Sequence, residues 1–413
     1  DEWLLAMAAP ASLRVGFVHP DLGIGGAERL VVDAAVGLQE VGHSVKVFTS
    51  HCSPSHSFPE TQDGTLDVAV YGNFLPQSLL GFCRAVCAYT RMLYVAMAVL
   101  LSGEKFDVLF VDQVSICIPL LRLSGAKIVF YCHHPDKLLT ERKNVLKKLY
   151  RLPIDYLEEV TTGKADKILV NSKYTESVFR QSFPSLADTP VSVLYPALNF
   201  QSLIAHANVD TEELLGDLVG KDIFLSINRF ERKKNIQLAV EAFSVLQNLV
   251  SATRFNNVHL VLAGGYDPLL PENKEVVEDL QEIVDREGLT GHVTFFKSCT
   301  EDEKAALLIE SLAVVYTPAN EHFGIVPIES MFFGKPVIAV NSGGPLESII
   351  HEKTGLLCNP NAAQFAAAMN SLLKDRAIVA EYGAEGKRRT RELYSLESFA
   401  ANLSTIMFDV ASS

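Results

Sequence analysis

Two carboxylates in the second half of the chain are the strongest candidates for chemistry. Glu321 and Glu329 begin and end the segment EHFGIVPIE, which follows an apolar run over residues 313–316. Gly324 lets the backbone approach a ligand closely, and Pro327 suits the first turn of a helix. We therefore expect Glu321 on a loop and Glu329 on a helix, where carboxylates accept sugar hydroxyl groups and backbone N–H groups hold phosphate. The alternative is an N-terminal capping glutamate and an unrelated surface glutamate.

Two cations precede these carboxylates in a loop that follows another apolar run. Arg229 and Lys234 occur in the segment INRFERKKN, residues 227–235. The fork of an arginine and the mobile ammonium group of a lysine can clamp a diphosphate together. A solvated basic loop is the other interpretation, and the spacing alone does not decide between them.

Glycines and a histidine follow further apolar runs. Gly25 and Gly26 belong to the segment HPDLGIGGAER, at a strand-to-helix turn where an anion could bind the helix N-terminus. Their spacing differs from Gly-x-Gly-x-x-Gly, so the nicotinamide-binding fingerprint is absent. A tight turn without a ligand is the alternative. Gly264 and Gly265 end a later run, and His133 ends another, where a buried histidine bonded to a carbonyl would be the usual interpretation.

Composition narrows the class of protein. The chain has 413 residues, 48% of them hydrophobic and 21% charged, which is typical of a packed globular protein with two or three domains. Its net charge of −13 argues against a nucleic-acid partner, which needs a basic surface. Its seven cysteines include no Cys-x-x-Cys pair, so we expect reduced thiols in a cytosolic compartment.

Short apolar runs alternate with helix-length segments along the whole chain, which predicts an α/β fold with parallel sheets. A break at residues 195–207 predicts two Rossmann-like, doubly wound domains that face a cleft at the carboxyl ends of their strands. We assign residues 12–198 to the first domain, 199–392 to the second, and 393–413 to a C-terminal helix that packs back on the first. The strands are predicted at residues 13–18, 45–49, 106–111, 127–131, 167–170, 222–227, 258–263, 293–296, 313–316 and 336–340.

One segment could meet a membrane. No stretch reaches the roughly 20 apolar residues of a spanning helix. The nearest candidate is residues 86–102, which would be a buried helix or one that lies in the membrane interface. Residues 1–10 begin with two acidic residues and lack the basic start of a signal peptide.

These motifs together resemble glycosyltransferase family four, whose fold is GT-B. The resemblance rests on the Glu-x7-Glu segment, on Arg229 and Lys234, and on the Gly-Gly-Ala-Glu loop. The segments YCHHPD at residues 131–136 and NSGGPLE at residues 341–347 narrow it to the eukaryotic members that mannosylate lipid-linked oligosaccharides. One departure is His134, which stands where the family has an aromatic residue.

The resemblance implies a retaining mannosyltransferase on the cytosolic face of the endoplasmic reticulum membrane. Its donor would be GDP-mannose, and its acceptors would be dolichol-diphosphate-linked Man1GlcNAc2 and Man2GlcNAc2, mannosylated in alpha-1,3 and alpha-1,6 linkage for N-glycan synthesis. No metal or other cofactor is implied. Its partners would be the donor, the lipid acceptor, the membrane surface and other lipid-linked-oligosaccharide transferases.

The resemblance also implies a role for each candidate residue. His133 would lie beside the reacting mannose, Arg229 and Lys234 would neutralise the departing diphosphate, and Glu321 would contact the donor sugar. Gly25 and Gly26 would back the diphosphate or admit the acceptor. The remaining donor-binding residues would be Phe323, Gly324 and Ile325 through backbone N–H groups, Glu329 at the ribose, and Gly264 and Gly265 at the nucleotide.

Two alternatives stay open from the residues alone. The Glu-x7-Glu pattern does not distinguish guanine from uracil, so a UDP-sugar donor is compatible with it. A partner subunit that binds a sugar nucleotide without turnover is the second alternative, although the full set of Arg229, Lys234, Glu321 and Glu329 argues against it.

Overall fold

The computed structural model describes residues 12–78, 83–139 and 145–413 and divides into two compact units. Unit 1 contains the described residues up to Ala197 together with Leu396–Ser413, and unit 2 is Leu198–Ser395. The chain passes from unit 1 to unit 2 between Ala197 and Leu198, inside the segment 195–207, and returns between Ser395 and Leu396. Residues 1–10, whose composition was compared with a signal peptide above, lie outside the described residues.

Unit 1 is built on a seven-stranded parallel sheet in the order β3-β2-β1-β4-β5-β6-β7. Its central strands are apolar on both faces because helices cover both sides of the sheet. The strands are β1 (Arg14–His19), β2 (Ser44–Thr49), β3 (Val68–Val70), β4 (Val108–Asp112), β5 (Lys127–Cys132), β6 (Lys167–Val170) and β7 (Val191–Val193).

The helices of unit 1 that precede the chain crossing are α1 (Gly26–Glu40), α2 (Arg84–Leu101), α3 (Ile118–Leu121), α4 (Asp136–Leu139), α5 (Val145–Thr162) and α6 (Lys173–Ser182). Hydrophobic clusters lie on both sides of the sheet, so the unit has three layers.

Unit 2 has a six-stranded parallel sheet in the order β10-β9-β8-β11-β12-β13. Hydrophobic clusters again cover both faces of the sheet. Its strands are β8 (Asp222–Ile227), β9 (Val258–Gly264), β10 (Val293–Lys297), β11 (Ser311–Tyr316), β12 (Val337–Val340) and β13 (Gly355–Cys358).

The helices of unit 2 connect these strands and cover the sheet. They are α7 (Phe200–His206), α8 (Thr211–Leu215), α9 (Gln237–Leu249), α10 (Ala252–Phe255), α11 (Pro271–Arg286), α12 (Glu301–Glu310), α13 (Ile325–Phe332), α14 (Pro345–Ser348), α15 (Ala362–Lys374) and α16 (Arg376–Leu393).

The last helix, α17 (Leu396–Ala411), belongs to unit 1 and packs on α1. A Cβ atom added to Gly37 of α1 would lie 2.8 Å from the Cβ atom of Ala400, so glycine permits this close packing. Phe399, Leu403 and Met407 are buried in the same hydrophobic cluster as β1.

Both sheets reverse their strand order once. In unit 1 the order turns between β1 and β4, and in unit 2 between β8 and β11. The connections on either side of such a point leave in opposite directions and open a crevice at the carboxyl ends of the two strands, where ligands bind in this class of sheet.

The predicted fold class is confirmed: both units are doubly wound parallel sheets. All ten predicted strands are present, and no strand end differs from the prediction by more than two residues. Three strands of the described residues, β3, β7 and β13, are not among these ten, because β3 and β7 have only three residues each and β13 begins at a glycine. All three are edge strands, where burial imposes a weaker pattern on the sequence.

The apolar segment at residues 86–102 forms most of α2, which has two different faces. Met92, Val95 and Val99 are buried in the core of unit 1, whereas Leu93 and Met97 are exposed. Among the described residues, α2 is the one helix with the length and composition of a membrane span, and 33% of it is buried inside the unit. One face therefore belongs to the core, and the other is available for contact.

We expect the two faces of α2 to respond differently to a charge. Val99→Glu buries a carboxylate without a partner and should lower the free energy of unfolding by more than about 3 kcal/mol. Leu93→Glu, one turn and a half earlier on the exposed face, should change it by less than about 0.5 kcal/mol. Urea unfolding of both variants checks this, and equal losses would contradict the two-faced arrangement.

Candidate active site

A cavity of about 380 Å³ opens in unit 2 at the strand-order reversal. It lies where β8, β9 and β11 end. Because these strands are neighbours in the sheet, the residues that follow them lie close together. Gly264 ends β9 with φ of +137°, and a Cβ atom there would lie 2.2 Å from the carbonyl oxygen of Asn228. Only glycine allows this approach. The cavity is lined by Ile227, Asn228, Arg229, Lys234, Gly264, Gly265, Cys299, Glu301, Lys304, Tyr316, Glu321, Gly324, Ile325 and Val326.

Lys234 and Glu321 form an ion pair in this cavity. Lys234 Nζ lies 2.5 Å from Glu321 Oε1, and both side chains are largely buried. The backbone carbonyl of Lys234 also accepts a hydrogen bond of 2.8 Å from the hydroxyl group of Thr317, which follows β11. Lys234 is thus held through both its side chain and its backbone, and its ammonium group lines the cavity, where it can bind an anionic ligand.

Arg229 is more exposed than Lys234, the other predicted cation of the cavity. Its side chain is 63% exposed, and its Nη1 lies 2.9 Å from Glu231 Oε1. Glu231 also accepts the ammonium group of Lys233 at 3.1 Å. An exposed guanidinium paired with a shared carboxylate can turn toward a diphosphate at little cost, because exposed ion pairs contribute about 0–1 kcal/mol.

The first turn of α13 supplies backbone donors to the cavity. Gly324 precedes the helix with φ of +82°, and Ile325 and Val326 begin it. N–H groups in the first turn of a helix have no partner within the helix and carry the positive end of its dipole. Gly324, Ile325 and Val326 all line the cavity, so this turn can hold a phosphate.

The loop that carries Glu321 is braced by the two glycines that follow β12. The N–H group of Gly344 donates to the carbonyl of Glu321 at 2.7 Å, and the N–H group of Asn320 donates to Ser342 Oγ at 3.1 Å. A Cβ atom on Gly344 would lie 2.2 Å from the carbonyl oxygen of Phe323. The backbones of the two loops are therefore in direct contact, which fixes Glu321 in the cavity.

Two predicted donor-site residues lie behind the cavity wall. Phe323 is 9% exposed, and its ring packs edge-on against Tyr394 at 5.8 Å between centroids. Glu329 lies in the second turn of α13, where burial raises the pKa of its carboxyl group while Lys304 opposes that rise. Lys304 Nζ lies 3.2 Å from Glu329 Oε1, and Lys304 itself lines the cavity.

The predicted histidine lies in unit 1. His133 follows β5, and its Nε2 lies 2.8 Å from Oδ1 of Asp112, the last residue of β4. The segment after His133 is anchored by Glu158, whose carboxylate accepts the backbone N–H groups of Asp136 at 2.6 Å and Lys137 at 3.0 Å. The side chain of His133 is 19% exposed, so one edge of its ring reaches the surface of the unit.

Asp112 is shared with a second histidine. His19, the last residue of β1, places Nδ1 at 2.8 Å from Asp112 Oδ2, and both side chains are completely buried. Burial by itself lowers the pKa of His19, but the carboxylates of Asp112 and Glu28 outweigh that effect and raise it to about 9. This cluster lies at the strand-order reversal of unit 1, which corresponds to the position of the cavity in unit 2.

The glycine loop of unit 1 lies beside this cluster. Gly25 immediately precedes α1 in extended conformation, and Gly26 begins the helix. A Cβ atom on Gly26 would meet nothing within 4 Å. The protein itself therefore does not require glycine at this position, whereas a ligand that approaches the helix start would.

The structure brings seven of the twelve predicted residues together in the cavity of unit 2, namely Arg229, Lys234, Gly264, Gly265, Glu321, Gly324 and Ile325. His133, Gly25 and Gly26 belong to unit 1, and Phe323 and Glu329 lie behind the cavity wall.

Sequence analysis missed Asp112, His19 and Lys304. A polar residue directly after a buried run was the available signal for Asp112 and His19, whereas Lys304 on a polar helix gave none.

Comparison with known proteins gives consistent results for both halves. The family model "Glycosyltransferase Family 4" matches residues 24–201, and "Glycosyl transferases group 1" matches residues 215–389. The chain superimposes with a TM-score of 0.73 on sucrose-phosphate synthase of Thermosynechococcus elongatus, at 20% identity over 97% of this chain and 100% of that one. Fold and family models together define a glycosyltransferase of the GT-B fold.

Curated relatives give the particular family. The chain is 49% identical to the mouse alpha-1,3/1,6-mannosyltransferase ALG2, over 95% of each chain. It is 48% identical to the human ALG2 protein, over 94% of each. The chain belongs to the ALG2 family of alpha-1,3/1,6-mannosyltransferases.

We expect Gly344→Ala to destabilise unit 2. The added methyl group collides with the backbone of Phe323, which forces the loop of Glu321 to shift and should cost about 1–3 kcal/mol. Gly291→Ala is the matched control, since a Cβ atom there meets nothing within 4 Å. Urea unfolding monitored by circular dichroism measures both, and equal stability of the two variants would show that the loops are not tightly packed.

Proposed function

We propose that the chain is a retaining transferase that moves mannose from GDP-mannose onto dolichol-diphosphate-linked Man1GlcNAc2 and Man2GlcNAc2, in alpha-1,3 and alpha-1,6 linkage. The product serves N-glycan precursor synthesis. The observation that carries the proposal is the cavity at the strand-order reversal of unit 2, where Arg229, Lys234 and the first turn of α13 lie around the carboxylate of Glu321. Membership of the ALG2 family supports mannose as the transferred sugar.

The leaving group is GDP, so the site must stabilise a diphosphate that gains negative charge as the glycosidic bond breaks. Arg229, Lys234 and the N–H groups of Gly324 and Ile325 are the donors that can do this. Fixed donors of this kind usually supply the largest catalytic term. We propose that these groups, rather than a metal ion, neutralise the diphosphate.

Glu321 has a double role in this proposal. Its Oε1 holds Lys234, and Oε2 remains for hydroxyl groups of the donor mannose. Burial raises the pKa of Tyr316 well above its usual value, so its hydroxyl group stays neutral beside the sugar. Gly264 and Gly265 leave space for the nucleotide because neither has a side chain.

From the sequence we expected Glu329 to bind the ribose, but in the structure Lys304 lies between Glu329 and the cavity. Lys304 Nζ also lies 2.7 Å from Glu301 Oε2. We propose that Glu329 accepts the ribose hydroxyl groups when Lys304 leaves it and keeps only its contact with Glu301. Phe323 contributes its backbone N–H group and anchors the loop through its ring.

Retention is proposed to follow from attack on the face that the diphosphate leaves. The acceptor hydroxyl forms the new bond to the anomeric carbon while the bond to the diphosphate oxygen breaks, and a phosphate oxygen takes the proton. His133 would lie beside the reacting mannose, and Gly25 and Gly26 would admit the acceptor. An NMR spectrum of the product that shows a β-mannoside would overturn this stereochemistry.

A lipid acceptor must be met at a membrane, which we propose to be the cytosolic face of the endoplasmic reticulum. The exposed face of α2 and the neighbouring α5 are the proposed contact surface. Tyr89 Oη of α2 donates to the carbonyl oxygen of Ile154 in α5 at 3.4 Å, so the helices adjoin. Apolar side chains exposed on α5 include Val145, Leu149, Leu152 and Tyr156, and Lys147 and Lys148 add positive charge that suits anionic lipid. Other lipid-linked-oligosaccharide transferases would be partners at that surface.

The decisive experiment is transfer from a panel of GDP- and UDP-sugars to a mono-mannosylated chitobiosyl diphospholipid, with linkage analysis. We expect GDP-mannose alone to give products, with alpha-1,3 and alpha-1,6 linkages. EDTA should leave the rate unchanged. Transfer from UDP-sugars would contradict the proposed donor. A rate that falls in EDTA and is restored by magnesium or manganese would contradict the metal-independent mechanism.

We expect Arg229→Ala to lower kcat by about 100- to 1,000-fold, because it removes one donor to the departing diphosphate. Arg232→Ala is the matched control from the same loop: Arg232 pairs with Glu275 and Asp279 and does not line the cavity. The control should retain activity within threefold of the parent, as judged by steady-state kinetics with GDP-mannose (~0.6 kcal/mol). Similar rates for both variants would remove Arg229 from the mechanism.

We expect Leu149→Glu with Tyr156→Glu to weaken binding to vesicles of phosphatidylcholine and phosphatidylinositol, because two exposed apolar contacts of α5 are lost. Leu269→Glu in unit 2 replaces another exposed leucine and serves as the control. Vesicle flotation measures binding, and thermal unfolding verifies the fold. Unchanged flotation of the double variant would exclude α5 from the contact surface.

A further inference from the structure

Four titratable side chains form a continuous chain at the carboxyl ends of β1, β4 and β5. His133 Nε2 lies 2.8 Å from Asp112 Oδ1, Asp112 Oδ2 lies 2.8 Å from His19 Nδ1, and His19 Nε2 lies 3.8 Å from Glu28 Oε1. The three strands are neighbours in the sheet, so parallel pairing brings their last residues together. Only His133, at one end, and Glu28, at the other, reach solvent.

We propose that Asp112 is the positioning residue of His133 in mannosyl transfer, and that His19 is the buried cation that keeps Asp112 ionised. The inference rests on the proposed place of His133 beside the reacting sugar. It assigns a function to two fully buried residues that do not themselves touch a substrate.

The charges of the chain are consistent with this arrangement. A lone carboxylate in the core would be very costly, and burial by itself raises the pKa of Asp112, but His133 and His19 outweigh that effect and lower it. Glu28, whose pKa is lowered despite burial, balances the far side of His19. The carboxylate of Asp112 therefore lies between the imidazole rings of His133 and His19, and the carboxylate of Glu28 lies on the other side of His19.

This placement fixes the proton on the imidazole ring of His133. An ionised carboxylate has no proton to donate, so a proton that lies in the 2.8 Å contact between His133 Nε2 and Asp112 Oδ1 belongs to Nε2. Nδ1 is then the ring nitrogen that can accept a hydrogen bond from a sugar hydroxyl group. The carboxylate partners of metal-bound histidines contribute about 10- to 100-fold, and we expect an effect of the same order for His133.

Two further contacts hold His133 in place. The ring of Tyr131 packs 4.8 Å from that of His133, and Asn171 donates its amide to the backbone carbonyl of His133 at 3.4 Å. Among the described residues, the titratable groups of Tyr131, Cys132 and Asp136 also lie near Asp112. Burial raises the pKa of Asp136 to about 6, with Arg151 opposing the rise and Asp112 adding to it.

A purely structural network would not need this composition. Apolar side chains of similar volume generally stabilise a core as well as or better than a buried ion pair does. Here the charged groups of Glu28, His19 and Asp112 form a row that leads to the partly exposed ring of His133. This arrangement is consistent with a role in positioning that ring.

The first test reads the protons directly, by NMR of the full chain labelled with ¹⁵N-histidine. At pH 8 we expect His133 to carry its proton on Nε2 and His19 to be protonated on both nitrogens, with signals assigned by His133→Gln and His19→Asn. In Asp112→Asn, His19 should become neutral and His133 should populate both tautomers. A proton on Nδ1 of His133 in the parent, or an unchanged spectrum in Asp112→Asn, would overturn the inference. This test needs no turnover, so it is independent of the proposed reaction.

The second test is a double-mutant cycle in mannosyl transfer. Asp112→Asn and His133→Gln should each lower kcat by about 10- to 100-fold, with KM for GDP-mannose changed less than about threefold, and the double variant should lose no more than either. Multiplicative losses would show that Asp112 acts independently of His133 and would overturn the positioning role. Loss of transfer from GDP-mannose in the parent, with the NMR result intact, would instead contradict the proposed function.

His19→Asn tests the cation and covers the case in which Asp112→Asn does not fold. The asparagine amide retains a donor near the position of Nδ1 but carries no charge, so the pKa of Asp112 should rise. The acid limb of the pH–rate profile should then move to higher pH. An unmoved acid limb would show that His19 does not maintain the charge of Asp112.

Discussion

Parallel strands must end together, and where their order reverses, the connections diverge and leave the strand ends accessible. This geometric constraint underlies both candidate clusters, the cavity of unit 2 and the His19–Asp112–His133 cluster of unit 1. In unit 2, the ends of β8, β9 and β11 deliver Arg229, Gly264 and Thr317, and the backbone hydrogen bond from Thr317 helps to place Lys234. In unit 1, the ends of β1, β4 and β5 deliver His19, Asp112 and His133. The chemistry thus depends on positions that the sheets create before any side chain contributes.

The two clusters hold charge in different ways. In unit 2, Lys234 and Glu321 pair at the wall of an open cavity, and Arg229 keeps an exposed and weakly held partner. A ligand with a diphosphate and sugar hydroxyl groups can therefore replace these internal contacts without a large reorganisation. In unit 1, the carboxylate of Asp112 is completely buried, and each of its oxygens lies 2.8 Å from a neighbouring imidazole nitrogen. The open cluster suits binding and charge neutralisation, and the sealed cluster suits fixed orientation.

Sequence analysis found the strands because burial on both faces leaves a continuous apolar run, and it placed the functional segments because polar and glycine residues follow those runs. Arg229, Lys234, Glu321 and Gly324 were found in this way, and all four line one cavity. Glu329 was expected to face the same cleft directly, whereas the structure inserts Lys304 before it. Lys304 comes from α12, and no local pattern relates a lysine there to a carboxylate on α13. The roles assigned to these residues remain predictions.

The sequence by itself determined the fold class and the positions where chemistry could occur, because strand runs, glycine turns and helix starts are local features of the chain. Its resemblance to a family determined the reaction to be expected. Tertiary structure alone decided which side chains became partners. Asp112 lies 93 positions from His19 in the chain and 21 from His133, and only the register of β1, β4 and β5 places its two oxygens at 2.8 Å from both rings. The physical reason is that pairing energies depend on distance and burial, which a linear sequence does not contain.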